Sequence, residues 1–305
     1  MINTIFLLTT LLLGGCASFV SHPPAQLERI NHLPTSAKIS NVPFISQKKD
    51  YCGPSTLAMV MKFHRLNTTA DELAKFSFSK NAKGTFQQDM ISTSRINQFI
   101  TVPINNYADL FQEIASGNPV IVFRNLGFDW IPIWHYSVIT AYDNLKKEIT
   151  MHSGANKSET LSLSEFDKSW YRAKYWAFSL LKPGQLSSNA ENIDYIRSAA
   201  AFENTNKIQS AKLVYESVLK KWPKDEMAYY GLGNIYFNNN KYNDSIKMYE
   251  SAIKSNSSFS EAWYNLAVVY KKVNNIGKYR QAVQMAIKTA NKDQKEEIMK
   301  TFNKL

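Results

Sequence analysis

The 305-residue sequence has only two cysteines, Cys16 and Cys52. Lys and Arg outnumber Asp and Glu, 36 to 25, for a net charge of +11, yet they form no long basic run. The clustered basic patch with interleaved aromatics that nucleic-acid binding requires is absent, so nucleic acid is excluded as a partner. What remains is a solvated basic surface with an attraction for anionic lipid. The longest apolar run near the start, Ile5 to Leu13, is too short to span a bilayer. No ATPase motif is present, and no cofactor or metal site is expected. A hydrophobic content of 44% and an aromatic content of 13% exclude a mainly disordered chain. The length suggests two modest domains.

The first apolar run ends in Leu13-Gly14-Gly15-Cys16. This resembles the lipobox of a bacterial lipoprotein signal peptide, although residues 2 to 15 contain no Lys or Arg. An ordinary secretory signal is the competing reading. The resemblance implies a signal peptide over 1–15, lipidation of Cys16 as the mature N-terminus, and a membrane anchor. Ala17, where Asp would retain the protein at the inner membrane, implies an outer-membrane lipoprotein on the periplasmic side. Residues 16–38 read as a polar tether. With Cys16 lipidated, Cys52 has no disulfide partner, and a lone thiol in an oxidising compartment is expected to be reactive.

Cys52 lies in Gln47-Lys48-Lys49-Asp50-Tyr51-Cys52-Gly53-Pro54, a polar turn that runs into the apolar helical pattern Leu57, Val60, Met61 and His64. Pro54 suits a first helical turn. Cys52 therefore sits at a helix N-terminus, where unpaired N–H groups and the helix dipole favour thiolate. The expected consequence is a thiol pKa lowered from about 8.5 into the range of roughly 3.5–7.5. The Gln47 side-chain amide and the Cys52 N–H could together meet a developing oxyanion.

Helices are expected from Cys52 to about Arg65, over 70–76 behind a Thr69/Glu72 capping box, over 88–99, and from Tyr107 until Gly117-Asn118-Pro119 stops the last. A short strand at 42–45 leads into the Gln47 turn. Strands then follow at 120–123, 135–142, 147–153 and 175–181, with a capped helix over 164–170. An aromatic loop occupies 125–134. Asp143-Asn144 reads as a two-residue turn. Helices first and an antiparallel sheet second make an α+β domain over 39–185.

The Cys box resembles that of the bacteriocin-processing (double-glycine) cysteine peptidases, a family with a papain-like fold. The matching residues are Gln47, Asp50-Tyr51-Cys52-Gly53-Pro54 with Leu57-Ala58-Met59, then Pro119-Val120-Ile121-Val122, and His135-Tyr136-Ser137-Val138 with Tyr142-Asp143. The resemblance implies Cys52 as nucleophile, His135 as its base and Gln47 as the oxyanion-hole residue. A Cys/His pair suits this chemistry, since imidazole takes the thiol proton and later protonates the leaving amine. His22 and His32 fall in the tether, and His64 lies too far along the Cys52 helix to serve. The family carries an Asp on the next strand to orient the imidazole. Pairing through an Asp143-Asn144 turn puts His152 opposite His135, so His152 is the expected orienting residue, with the Ser153 hydroxyl beside it as the other possible acceptor for Nδ1–H.

After a break at 186–191 the chain is helical with a 34-residue period: Tyr195, Tyr229 and Trp263 recur, and Leu232-Gly233 with Tyr236 matches Leu266-Ala267 with Tyr270. This resembles tetratricopeptide repeats, an all-α solenoid over 192–305 in three copies, 192–225, 226–259 and 260–296. Ala211 and Ser245 give way to a later Ala282 in the third copy, which implies an inter-helix turn about three residues longer there. Such repeats commonly dock a protein or peptide partner on their concave face, and 192–305 is expected to fold alone. Two functions remain open. One is a membrane-anchored cysteine peptidase acting on a peptide or protein, with an amidase or transglutaminase-like reaction as a variant. The other is a weakly active or inactive peptidase-like assembly module working through its repeats.

Overall fold

The computed structural model describes residues 33–303. Residues 1–15, Cys16 and the tether up to 32 lie outside the described residues. The rest of the tether is not a tether. Ser36–Lys38 forms strand β1, antiparallel to residues 141–143, and Tyr142 Oη donates to the Pro34 carbonyl at 2.8 Å. Residues 42–45 form no strand.

Helix α1 (Cys52–Phe63) starts at the cysteine, and the chain leaves it through Arg65 at φ 66°. Helix α2 (Ala70–Ser77) carries the full capping box: Glu72 N donates to Thr69 Oγ1 at 3.2 Å and Thr69 N to Glu72 Oε2 at 2.8 Å. Helix α3 spans Gln87–Ile96. It ends early because residues 100–104 are drawn into a sheet as β2 (Ile100–Ile104). The proline at 103 obscures that strand in the sequence, but β2 is an edge strand, where a missing N–H is tolerated. Helix α4 (Tyr107–Ala115) follows, with Asn106 Oδ1 capping the Asp109 N–H.

Strands β3 (Val120–Asn125), β4 (Trp134–Asp143), β5 (Glu148–Ser153) and β6 (Asn156–Ser162) form a meander. Helix α5 (Leu163–Tyr171) then leads to β7 (Ala177–Leu181). The sheet order is β2-β7-β3-β4-β5-β6, all antiparallel, with β1 beside the end of β4. Strand β6 escapes a hydrophobicity reading because it is a polar, solvent-facing edge. Between β4 and β5 the connection is four residues, 144–147, and not the two-residue turn expected. Asp143 Oδ1 organises it by accepting from the N–H groups of Leu145 and Lys146, each at 3.0 Å. A register shift between Ile139 and Ala141 then sets Val138, not His135, opposite His152.

The repeats are helix pairs: α6 (Asn192–Asn204) with α7 (Ile208–Lys221), α8 (Glu226–Asn238) with α9 (Tyr242–Ser255), and α10 (Ser260–Lys272) with α11 (Ile276–Thr289); α12 (Lys292–Asn303) closes the stack. The first helices start at 192, 226 and 260, a spacing of 34 residues. Within each pair the inter-helix turn has three residues, so the longer third turn does not exist. Instead the buried small residue lies one helical turn further along α11, and Tyr279 takes the earlier position, its ring 5.9 Å from that of Phe302 on α12. Gly233 lets α8 meet α9, since a Cβ there would lie 2.5 Å from the Tyr249 ring.

The break at 186–191 is structured, with Ser187 and Ala190 buried. Glu113 of α4 is buried and accepts from Asn118 Nδ2 (2.8 Å), Ser179 Oγ (3.0 Å), Asn189 Nδ2 (3.1 Å) and Ser187 Oγ. Ile100, Val102 and Leu181 of the sheet share one apolar cluster with Tyr195, Ile196, Ala199 and Phe202 of α6. The sheet and the repeats thus bury apolar surface against each other, which the polar composition of the break conceals.

Candidate active site

Cys52 is the first residue of α1 and lines a cavity of about 890 Å³ with Gln47, Thr85, Trp134, His135 and Trp176. The turn that delivers it places Asp50 in the left-handed region at φ 65° and closes with the Tyr51 N–H on the Lys48 carbonyl at 3.1 Å. An Asp tolerates that conformation better than most residues. Opposite, β4 presents His135, and Phe123 of β3 stacks on Trp134 at 5.0 Å to form an aromatic wall. The structure therefore brings Gln47, Cys52 and His135 to one cavity. His64 does not reach it; its ring packs 5.5 Å from that of Phe99.

The side-chain amide of Gln47 is buried, and among the described residues neither its Nε2 nor its Oε1 has a hydrogen-bond partner. Its backbone is fixed by the Gln47 N–H on the Gly154 carbonyl at 3.1 Å. A buried amide left without partners costs about 1–3 kcal/mol, so its position is informative: Gln47 is also one of the residues that line the cavity holding the thiol.

The electrostatics differ from the expected thiolate. Burial raises the Cys52 pKa above its ordinary value, outweighing the backbone N–H groups of Tyr136, Gly53 and Cys52 itself, which favour thiolate. His135 is lowered to about 4, first by burial and then by the positive charge of Arg124. The resting pair is a neutral thiol and a neutral imidazole, because desolvation penalises both charged forms more than the helix terminus compensates.

His152 does not orient His135. Its Nε2 lies 3.1 Å from the Val42 carbonyl, its Nδ1 accepts from the Ser158 N–H at 3.2 Å, and its ring packs edge-on to Phe44. The four-residue turn and the register shift move it along β5 and onto the other face. Ser153 takes its place, with Oγ 3.2 Å from His135, and the ring atom it meets is Nε2, not Nδ1.

Behind Ser153 lies a residue that the sequence did not single out. Arg124 of β3 is directly opposite His135, is 2% exposed, and donates from Nη2 to Ser137 Oγ (3.0 Å) and Ser153 Oγ (3.1 Å). Ser137 and Ser153 lie 3.2 Å apart. Its Nε has no partner among the described residues, and burial lowers its pKa to about 10. Pairing β3 with β4 symmetrically through the aromatic hairpin puts position 124 beside 135, and that register would have found it.

A cysteine at a helix N-terminus, facing a histidine on an antiparallel strand with an amide donor alongside, has the layout of a cysteine-peptidase-like domain. The family comparison agrees: residues 39–178 match the Peptidase_C39 like family, while 197–242 match a tetratricopeptide repeat model and 233–274 a TPR repeat model. The chain carries a C39-peptidase-like domain followed by tetratricopeptide repeats.

Among solved structures, one described as a C39-like peptidase from Bacillus anthracis is 15% identical, with 50% of this chain and 99% of that chain covered and a TM-score of 0.42. The peptidase domain of Streptococcus ComA, a bifunctional ABC transporter of a quorum-sensing pathway, is 21% identical over 47% of this chain and 99% of its own, with a TM-score of 0.39. YrrB, a TPR protein with an unusual peptide-binding site, is 24% identical over 36% of this chain and 59% of its own, with a TM-score of 0.32. No curated protein matches the chain.

Proposed function

We propose that the chain is a cysteine peptidase that cleaves a peptide or protein substrate at Cys52, with His135 as base and Gln47 as oxyanion donor. The observation that carries this reading is the buried, unpartnered Gln47 amide beside a helix-terminal thiol and a histidine in one cavity. The pair works from its neutral state. Arg124 donates both Nη2 hydrogens to the serines, and the Ser137 hydroxyl donates to Ser153. Ser153 Oγ, 3.2 Å from His135 Nε2, holds the ring in place, and the neutral imidazole takes the thiol proton as sulfur attacks the carbonyl. The oxyanion then meets the Gln47 amide and the Cys52 N–H, and the imidazolium returns its proton to the leaving amine.

The repeats supply a docking surface for a protein or peptide partner in this proposal. A depression lined by Asn234, Phe237, Tyr249 and Asn265 offers amide groups for a peptide backbone. Lipidation of Cys16 would hold the mature protein on the periplasmic side of the outer membrane. A second reading, a docking module with little turnover, is favoured by one observation: the buried cation behind His135 opposes imidazolium.

The test is to incubate wild type and Cys52→Ala with a mixed peptide library between pH 6 and 9 and sequence the new N-termini. New termini from wild type alone support the peptidase. Identical termini from both proteins at every pH would leave the docking module as the function.

A further inference from the structure

The hairpin that joins β3 to β4 carries an apolar surface that the catalytic reading does not use. Leu126, Phe128, Trp130, Ile131, Ile133 and Trp134 are all exposed, Trp130 at 76% and Ile131 at 62%. Monomeric proteins rarely leave so much contiguous apolar side chain in water without a use for it. Phe128 and Trp130 stack at 4.9 Å, so the tip is a shaped surface.

Part of its backbone is satisfied from within. The Leu126 N–H donates to the Ile133 carbonyl (2.8 Å), and Phe128 and Ile131 exchange N–H to carbonyl bonds (3.1 and 3.2 Å). Asn125 Oδ1 accepts from the N–H groups of Gly127 and Ile133. Gly127 permits this closeness, because a Cβ there would lie 2.3 Å from the Ile131 carbonyl oxygen. A tip with apolar side chains and a partly paired backbone suits the interfacial layer of a membrane.

Charge decides among occupants. Phe123 and Trp134 at the hairpin base line the cavity together with Lys48, Lys49, Lys83, Arg172 and Lys174, against one acidic residue, Asp50. The acidic residue on the tip, Asp129, leans toward Arg172, Oδ1 to Nε 3.9 Å. Tryptophan and isoleucine projecting past a basic collar match an anionic lipid interface, where aromatic rings sit at headgroup depth and lysines meet phosphates. Among the described residues no helix is long and apolar enough to cross a membrane, so the contact is interfacial.

We infer that residues 126–134 dip into the headgroup region of an anionic phospholipid bilayer and hold the mouth of the Cys52 cavity at the lipid surface. The contact is independent of any lipid on Cys16, and it requires substrate to arrive along the membrane.

Hydrogen exchange on the full chain tests this with phosphatidylglycerol and phosphatidylcholine vesicles. Exchange across 126–134 should slow with phosphatidylglycerol vesicles and not with phosphatidylcholine. The double substitution Trp130→Ser, Ile131→Ser, at sites exposed enough to leave folding intact, should abolish that protection and weaken the vesicle affinity of this segment roughly tenfold. An unchanged thermal midpoint would show that the variant is folded; if it is not, Lys83→Glu with Lys174→Glu should reduce the same protection. Protection that grows with protein concentration in the absence of vesicles would assign the tip to a second copy and overturn the inference. Protection by an acidic peptide but not by vesicles would assign it to substrate, with the same effect. Vesicle binding that leaves 126–134 exchanging freely would overturn it too, and none of these outcomes bears on whether Cys52 cleaves peptides.

Discussion

His135 Nε2 and Ser153 Oγ lie 3.2 Å apart, and the same serine oxygen lies 3.1 Å from the buried guanidinium of Arg124. The imidazole is therefore oriented by a hydroxyl with a cation behind it, an arrangement that fixes the ring without stabilising its charged form. Ser153→Ala should leave the cavity and KM unchanged while lowering kcat roughly tenfold to a hundredfold, through loss of ring orientation. Ser153→Asp should place a carboxylate between Arg124 and His135, raise the His135 pKa from about 4, and move the acid limb of the pH–rate profile upward. An acid limb that stays in place in the Asp variant would show that Ser153 does not set the state of His135.

The thiol makes a second prediction, with a definite sign. Burial holds Cys52 above its ordinary pKa and His135 near 4, so from about pH 5 to pH 8 both groups are neutral. Alkylation of Cys52 by iodoacetamide should rise about tenfold per pH unit through neutrality, with no acid plateau, since only thiolate reacts. Arg124→Met should raise the His135 pKa, read by NMR of the imidazole, by removing the opposing charge. A pH-independent alkylation rate down to pH 5 would mean a preformed thiolate–imidazolium pair, and the neutral-pair mechanism would be abandoned.

Glu113 supplies a third. Its carboxylate gathers donors from Asn118, Ser179, Ser187 and Asn189, and so joins α4, β7 and the segment that enters the repeats. Glu113→Ala should cost roughly 2–4 kcal/mol, since several donors lose a buried charged acceptor. Urea unfolding should show both the loss and a broader transition as the sheet and the repeats part company. The isolated segment 192–305 should remain helical by circular dichroism but melt below the full chain, because Tyr195, Ile196 and Phe202 lose Ile100, Val102 and Leu181. Equal midpoints for fragment and full chain would show that the shared cluster adds nothing.

Most of the fold was legible because its signals are local. The Thr69/Glu72 box, the cysteine at a helix start and the 34-residue period each need only a short window of sequence. The third position of the site was not legible, because it depends on one turn. Asp143-Asn144 has the composition of a two-residue turn, but the Asp143 carboxylate caps a four-residue one. With the shift near Ile139, this exchanges His152 for Ser153 beneath His135. Arg124 was invisible for a related reason. A single arginine at the end of an apolar strand reads as the point where the strand surfaces, and only its pairing with Ser137 and Ser153 keeps it inside. The thiolate expectation failed because helix-terminal charge is a local effect, whereas desolvation depends on everything packed around the sulfur.

The buried joint at Glu113 also has a geometric consequence. A flexible linker would let a chain held on the repeats present many of its peptide bonds to the cysteine in turn. A joint without slack fixes the path length between the two surfaces. A polypeptide that engages both would then be cut at a set number of residues from its point of attachment, so position along the substrate, more than the side chains flanking the bond, would select the cleavage site.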